Sequence, residues 1–275
     1  MSHIKKALER AKAERLKQSS GREPTAEQPE EPKEEAPLQE IDLCSATTCI
    51  VEVPRETLLN NRIAVIDETS LVSDQFKLLR TQIFQRTRPK KWNTIQISGF
   101  GDGEGKSLVA ANLAISIAKD ARQTTLLVDL DFRRPSLHHL LGIGSDVPGL
   151  KSYFLDGTPL EELLINPGIP KLSVLLAGGR VSRATEMLGS PKMEALIKEL
   201  KERYEDRYVI LDTPGISVCP DPVVISDYVD CILLVARQER TLQENIKTAL
   251  DRIPREKVLG MVLNDVAPDM VGRYY

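Results

Sequence analysis

Four glycines alternate through Gly99, Phe100, Gly101, Asp102, Gly103, Glu104 and Gly105 and lead directly into Lys106 and Ser107. A glycine loop lets successive backbone N–H groups turn toward one centre. A helix beginning there adds partial positive charge, and a lysine at the loop's end reaches the outer phosphates of a nucleotide. This pattern assigns Gly101, Asp102, Gly103, Glu104, Gly105, Lys106, Ser107 and Leu108 to ATP, with the Ser107 hydroxyl on Mg²⁺. The strict pattern GxxxxGK[ST] requires glycine where this chain has Phe100, with Gly99 and Gly101 on either side. The bland alternative is a glycine-rich surface turn with a chance Lys-Ser. A strand before the loop, a helix after it and carboxylates downstream argue against that alternative.

A magnesium ion that bridges phosphate oxygens takes one or two carboxylates and waters, delivered from the carboxyl ends of neighbouring strands. Two apolar runs end that way: Leu126-Leu127-Val128-Asp129-Leu130-Asp131, followed by Phe132-Arg133-Arg134-Pro135, and Val209-Ile210-Leu211-Asp212-Thr213-Pro214. If the first strand stays extended, its period of two puts Asp129 and Asp131 on one side. A lone Asp at a strand end is usually a cap or turn former, but three downstream of a phosphate loop favour metal or base roles. Arg133 and Arg134 would either neutralise phosphate charge or pair with surface acids. His138 and His139, in a Leu-rich stretch without partners at ligand spacing, read as packing or surface residues.

The elements that must position these groups alternate. A helix is expected over residues 68–84 with Leu71, Phe76, Leu79 and Ile83 inward. Strands are expected at 94–98, 124–130, 172–176, 208–211, 231–236 and 258–263, with helices at 106–119, 149–164, 191–204, 222–227 and 242–252 between them. Runs such as Ile232-Leu233-Leu234-Val235 are apolar without alternation, as in strands covered on both faces. The fold class is α/β, a doubly wound, mostly parallel sheet.

The 275 residues and net charge of −3 allow one catalytic domain with an appendage and give no global basic field for nucleic acid. Cys44, Cys49, Cys219 and Cys231 match neither metal nor disulfide spacing and read as reduced thiols. No stretch approaches the ~18 apolar residues of a membrane span, so a cytoplasmic chain is expected. Residues 1–18 carry Ile4, Ala7, Leu8, Ala11 and Leu16 at near-helical spacing, a short amphipathic helix. Residues 19–64 form a disordered or extended Pro/Glu-rich linker, β-prone only at 48–53. Residues 65–265 form the catalytic domain and 266–275 a flexible tail.

Together these landmarks resemble the BY-kinases, the bacterial tyrosine autokinases that accompany capsule and exopolysaccharide export. The GEGKS loop is at 103–107, the "VDxDxRRP" element at 128–135 and the "VIxDTPP" element at 209–214, with Gly215 where a second proline is frequent. The likeness extends through Leu176-Ala177-Gly178-Gly179, residues 184–201 and Met261-Val262-Leu263-Asn264, and covers residues 65–265. In general look the chain is similar to the exosortase-associated subgroup, whose members begin with a comparable helix. The resemblance implies a P-loop NTPase fold of the Min/Par-like type, with ATP and Mg²⁺ as cofactors and Asn264 among the nucleotide contacts. It makes Asp129 and Asp212 metal ligands with Ser107, Asp131 the base that accepts the tyrosine proton, and Lys106, Asp129 and Asp131 the catalytic set.

The resemblance further implies a homo-oligomeric ring using Asp74, Lys77 and Arg80, where the family has ExxRxxR, and phosphoacceptors at Tyr274 and Tyr275. The expected partner is a separate membrane chain-length regulator of polysaccharide export that recruits the chain to the inner face of the plasma membrane. A Min/Par-type ATPase on the same fold is the main rival. It requires a second lysine five residues before Lys106, where this chain has Gly101. The other rival is a nucleotide-binding regulator without kinase activity.

Overall fold

The computed structural model describes residues 49–204 and 206–267. The amphipathic helix over 1–18, the linker up to residue 48 and the tyrosines Tyr274 and Tyr275 lie outside the described residues.

Among the described residues the strands are β1 (Cys49–Ile50), β2 (Thr94–Gly99), β3 (Thr124–Asp129), β4 (Leu164–Asn166), β5 (Leu172–Leu175), β6 (Arg207–Gly215), β7 (Cys231–Arg237) and β8 (Val258–Asn264). They form one sheet in the order β1-β4-β5-β3-β6-β2-β7-β8. Only the β4–β5 pairing is antiparallel; the others are parallel. The helices are α1 (Arg55–Asn60), α2 (Leu71–Thr87), α3 (Lys106–Ala118), α4 (Leu137–Leu140), α5 (Leu150–Leu155), α6 (Leu160–Leu163), α7 (Ala184–Leu188), α8 (Pro191–Glu202), α9 (Asp221–Ser226) and α10 (Gln243–Leu250).

Two apolar layers hold the sheet between helices. On one face Ile95, Ile97, Leu127 and Ile210 pack with Leu113 and Ile117 of α3 and Ile83 of α2. On the other, Leu126, Val128, Val209 and Leu211 pack with Leu196 of α8, Ile225 of α9 and Ala249 of α10. Strands β2, β3 and β6 are buried along their whole length, which is why they read as unbroken apolar runs. Removing a side chain such as Ile97 here would cost about 2–5 kcal/mol.

Three expectations change. The Ser70 hydroxyl accepts from Val72 N, so α2 starts at Leu71 rather than residue 68. With the start shifted Leu71 faces outward at 79 % exposure, while Ile83 stays buried. The stretch 149–164 is α5 and α6 rather than one helix, and it runs into the unexpected strand β4. Within the segment read as linker, Cys49 and Ile50 pair with Ile165 and Asn166, and Leu58 and Ile63 join the core.

At the amino ends of the central strands, Asp230 accepts from Asn93 N (2.9 Å), Thr94 N (3.0 Å) and the Thr94 hydroxyl (2.9 Å), and pairs with Lys201. Burial pushes the Asp230 carboxyl up, but Lys201 and the Asn93 and Thr94 donors outweigh it and hold its pKa below the usual range. A carboxylate whose folded pKa is depressed contributes stability that is present above its unfolded value of 3.8 and lost as pH falls through the folded one. Asp230→Asn should therefore lose about 2–3 kcal/mol at pH 7. Denaturant titrations at pH 7 and pH 3 should show the deficit shrinking at the lower pH, and an equal deficit at both would contradict this.

Candidate active site

The phosphate loop leaves β2 and delivers its chain to α3. Gly105 caps α3 at φ 88°, with no side-chain cap, so the first N–H groups of Lys106, Ser107 and Leu108 have no partner within the helix. These are the donors an anion would use. A Cβ on Gly105 would collide with the Asn264 amide, so this position needs glycine on two counts. The Lys106 ammonium donates to the Gly101 carbonyl across the loop. Leu108 packs its side chain against the core, which leaves its backbone as the part available to a nucleotide.

The loop is braced from outside. The buried Glu104 carboxylate accepts from Phe100 N (2.7 Å) and Gly101 N (2.9 Å), and from the Thr241 hydroxyl at 2.7 Å. Asn264 Nδ2 donates to the Glu104 carbonyl (2.9 Å), and Arg237 Nη1 to the Gly103 carbonyl (3.1 Å). Phe100, where the strict pattern has glycine, is fully buried in the sheet's second layer. The side chain of Glu104 is thus a brace, and Asn264 holds the loop from the tip of β8. Asp102 pairs with Arg134 at 2.6 Å, tying the loop to the turn after β3.

Asp129 and Asp212 are direct neighbours in the β3–β6 register. Each is 1 % exposed. Asp129 Oδ1 accepts from Asp131 N at 3.0 Å and Oδ2 from Leu137 N at 3.4 Å. Neither oxygen of Asp212 has a hydrogen-bond partner among the described residues. Burial pushes both carboxyls up, and each is raised further by a neighbouring acid: Asp131 for Asp129, Asp129 for Asp212. Against this, the Ser107 hydroxyl and the Lys106 ammonium favour the Asp212 anion. The Ser107 hydroxyl also meets that of Ser136 at 3.0 Å.

The strand ends at Asp129, so alternation does not place Asp131. The chain turns instead: Asp131 Oδ1 accepts from Arg133 N (3.1 Å) and Arg134 N (2.8 Å), and its Oδ2 makes no hydrogen bond to the described residues. Arg133 grips the fully buried Asp221 through Nε (2.8 Å) and Nη2 (3.2 Å). That resolves its role as a structural pair. His138 and His139 stack on each other with ring centroids 4.0 Å apart. Among the described residues no group of three or more His, Cys, Asp and Glu forms a metal cluster.

These residues fit Mg²⁺ and a nucleotide. An orphaned buried carboxylate, a second acid beside it and a serine hydroxyl are the hard-oxygen set that Mg²⁺ shares with phosphates. On α2, Asp74 pairs with Lys77 at 2.8 Å, and Arg80 donates to the Ser116 carbonyl. Leu71, Val72 and Leu78 are exposed on the same helix. Sequence reasoning missed Thr241, Arg237 and Ser136. The rule that functional groups gather at the carboxyl ends of parallel strands applied equally to β7, which ends at Arg237.

The fold and loop define a P-loop nucleotide-binding domain, and residues 95–274 match the CbiA family model, the CobQ/CobB/MinD/ParA nucleotide binding domain. The tyrosine-protein kinase YwqD of Bacillus subtilis is 31% identical over 206 residues, 74% of this chain and 85% of that protein. The tyrosine-protein kinase ptk of Acinetobacter johnsonii is 29% identical over 212 residues, 76% of this chain but only 28% of that longer protein. The crystal structure of the chimerical protein CapA2B2 superposes with a TM-score of 0.69 at 27% identity, covering 79% of this chain and 93% of that one. The chain belongs to the bacterial tyrosine-protein kinases.

An unpartnered carboxylate beside a second buried acid destabilises the protein by itself. In EDTA and without nucleotide, Asp212→Asn should gain about 2 kcal/mol, some 4–8 °C in Tm for a domain of this size. Differential scanning calorimetry checks this. A fall in Tm would mean that Asp212 is held by a favourable partner.

Proposed function

We propose that this chain is an ATP-dependent protein-tyrosine autokinase of exopolysaccharide or capsule export, with Tyr274 and Tyr275 as acceptors. The observation that carries the reading is the bare Asp212 carboxylate beside Asp129 and the Ser107 hydroxyl, at the mouth of the phosphate loop. Kinship with YwqD supports the choice of reaction.

Ser107, Asp129 and Asp212 would hold Mg²⁺, which when bound neutralises charge on the phosphate oxygens. The loop's N–H groups and the start of α3 cradle the phosphates, and Lys106 swings from the Gly101 carbonyl to the outer ones. Asp131, with Oδ2 free, takes the proton from the acceptor phenol as its oxygen forms a bond to the terminal phosphorus. The bond from that phosphorus to the bridging oxygen breaks, and ADP leaves. Little covalent work falls to the protein; positioning and charge neutralisation dominate. The fixed turn that holds Asp131 Oδ1 keeps the base on a rigid element.

The exposed Leu71, Val72 and Leu78 around Asp74 and Lys77 suit a subunit contact, and the ring reading places neighbouring tails at each site. No helix among the described residues is long and apolar enough to cross a membrane. A separate membrane chain-length regulator would bring the chain to the inner face of the plasma membrane.

With ATP and Mg²⁺, plus an activating fragment of such a partner, mass spectrometry should find phosphate on Tyr274 or Tyr275. Lys106→Met should abolish labelling with the far-ultraviolet spectrum unchanged, and Asp131→Asn should slow it by about 10²-fold or more. Release of free phosphate without labelled tyrosine, even with the fragment, would point to a Min/Par-type ATPase instead.

A further inference from the structure

A second cleft of about 260 Å³ opens past the carboxyl ends of β3 and β5. One wall is Pro135, His138 and His139, from the turn and helix that follow Asp131; the other is Gly178, Gly179 and Arg180, after β5. It adjoins the reacting site along the chain, since Ser136, next to Pro135, touches Ser107. In the sheet, β5 lies three strand spacings of ~4.8 Å, about 14 Å, from β2, the strand that leads into the phosphate loop.

The cleft is built. Gly178, at φ 74°, lies against Gly149, where a Cβ would come within 2.6 Å of the Gly149 nitrogen. Only glycine permits that crossing, and it fixes the second wall. The two imidazoles, tilted 37° to each other with centroids 4.0 Å apart, give that wall its aromatic character. Gly178 and Gly179 line the cleft, and their N–H groups donate to no described residue. Arg180 and Lys151, whose ammonium lies about 4 Å from the space above Gly179, have no ion-pair partner among the described residues. The opposing charge is Asp146 at the rim, with its carboxylate over Gly144. An aromatic wall, two uncommitted cations and free N–H groups are the complement of an aryl phosphate.

We propose that this cleft binds the phosphotyrosine side chain of a second copy of the chain, retaining an already modified segment beside the reacting site. The ligand's identity rests on the kinase reading. A second copy is favoured over the chain's own tail by reach. From β8 to β5 is five strand spacings, about 24 Å, while Ala267 to Tyr274 spans about 25 Å only when fully stretched. That leaves little more than the length of the tyrosine side chain itself to round the loops between.

The test titrates the full chain, without ATP, with a peptide of residues 268–275 phosphorylated on both tyrosines, with the unmodified peptide and with inorganic phosphate. The phosphopeptide should bind at least ten times more tightly than either control. Arg180→Ala or Lys151→Ala should weaken it at least fivefold with ATP affinity unchanged. Equal binding of both peptides, indifference to Arg180→Ala, or inorganic phosphate binding as tightly as the phosphopeptide would each overturn the proposal. Tyrosine labelling with ATP, Mg²⁺ and the activating fragment, run on the same preparations, separates the two claims. Phosphopeptide binding without labelling keeps the cleft and removes the kinase, and labelling without phosphopeptide binding does the reverse.

Discussion

Two carboxylates buried side by side are costly, and the rest of the site is arranged around that cost. Asp129, at the end of β3, stands next to Asp212 of β6, and Asp212 has no hydrogen-bond partner among the described residues. A fold that only needed stability would place apolar or amide side chains there. Under the proposed function, the pair stands beside a lysine and a serine hydroxyl because a hard cation and its phosphates would complete what the protein leaves unsatisfied. The strain is local, since both sheet faces around it are fully packed.

That packing explains how the loop tolerates Phe100. A phosphate loop must present its N–H groups without collapsing onto itself, and glycine supplies the turn but no rigidity. Here Glu104 stiffens it by accepting two loop N–H groups while Thr241 anchors the other carboxylate oxygen. Asn264 and Arg237 take the outward carbonyls. The Phe100 ring is turned down into the core. The loop is therefore held by its own Glu104 together with residues at the ends of β7 and β8.

The alternation of apolar runs and amphipathic stretches made the parallel sheet and the phosphate loop legible, because strands buried on both faces and a glycine-lysine loop have strong local signatures. What stayed hidden was non-local. β1 and β4 are short and exist because they pair with each other and with β5. The start of α2 depended on a capping hydroxyl at Ser70, which turned Leu71 outward. Arg133 was ambiguous until its partner, 88 residues away, was in place. Asp131 reached its position by a turn, although strand alternation suggested another route. The braces Thr241 and Arg237 carry no motif of their own, so only the fold shows what they touch.

The most direct measurement is electron paramagnetic resonance of Mn²⁺, standing in for Mg²⁺, titrated into the full chain with ADP. If the buried pair is the metal's seat, Asp129→Asn and Asp212→Asn should each weaken Mn²⁺ binding at least tenfold while Asp131→Asn leaves it unchanged. Undiminished binding in Asp212→Asn would contradict the central claim.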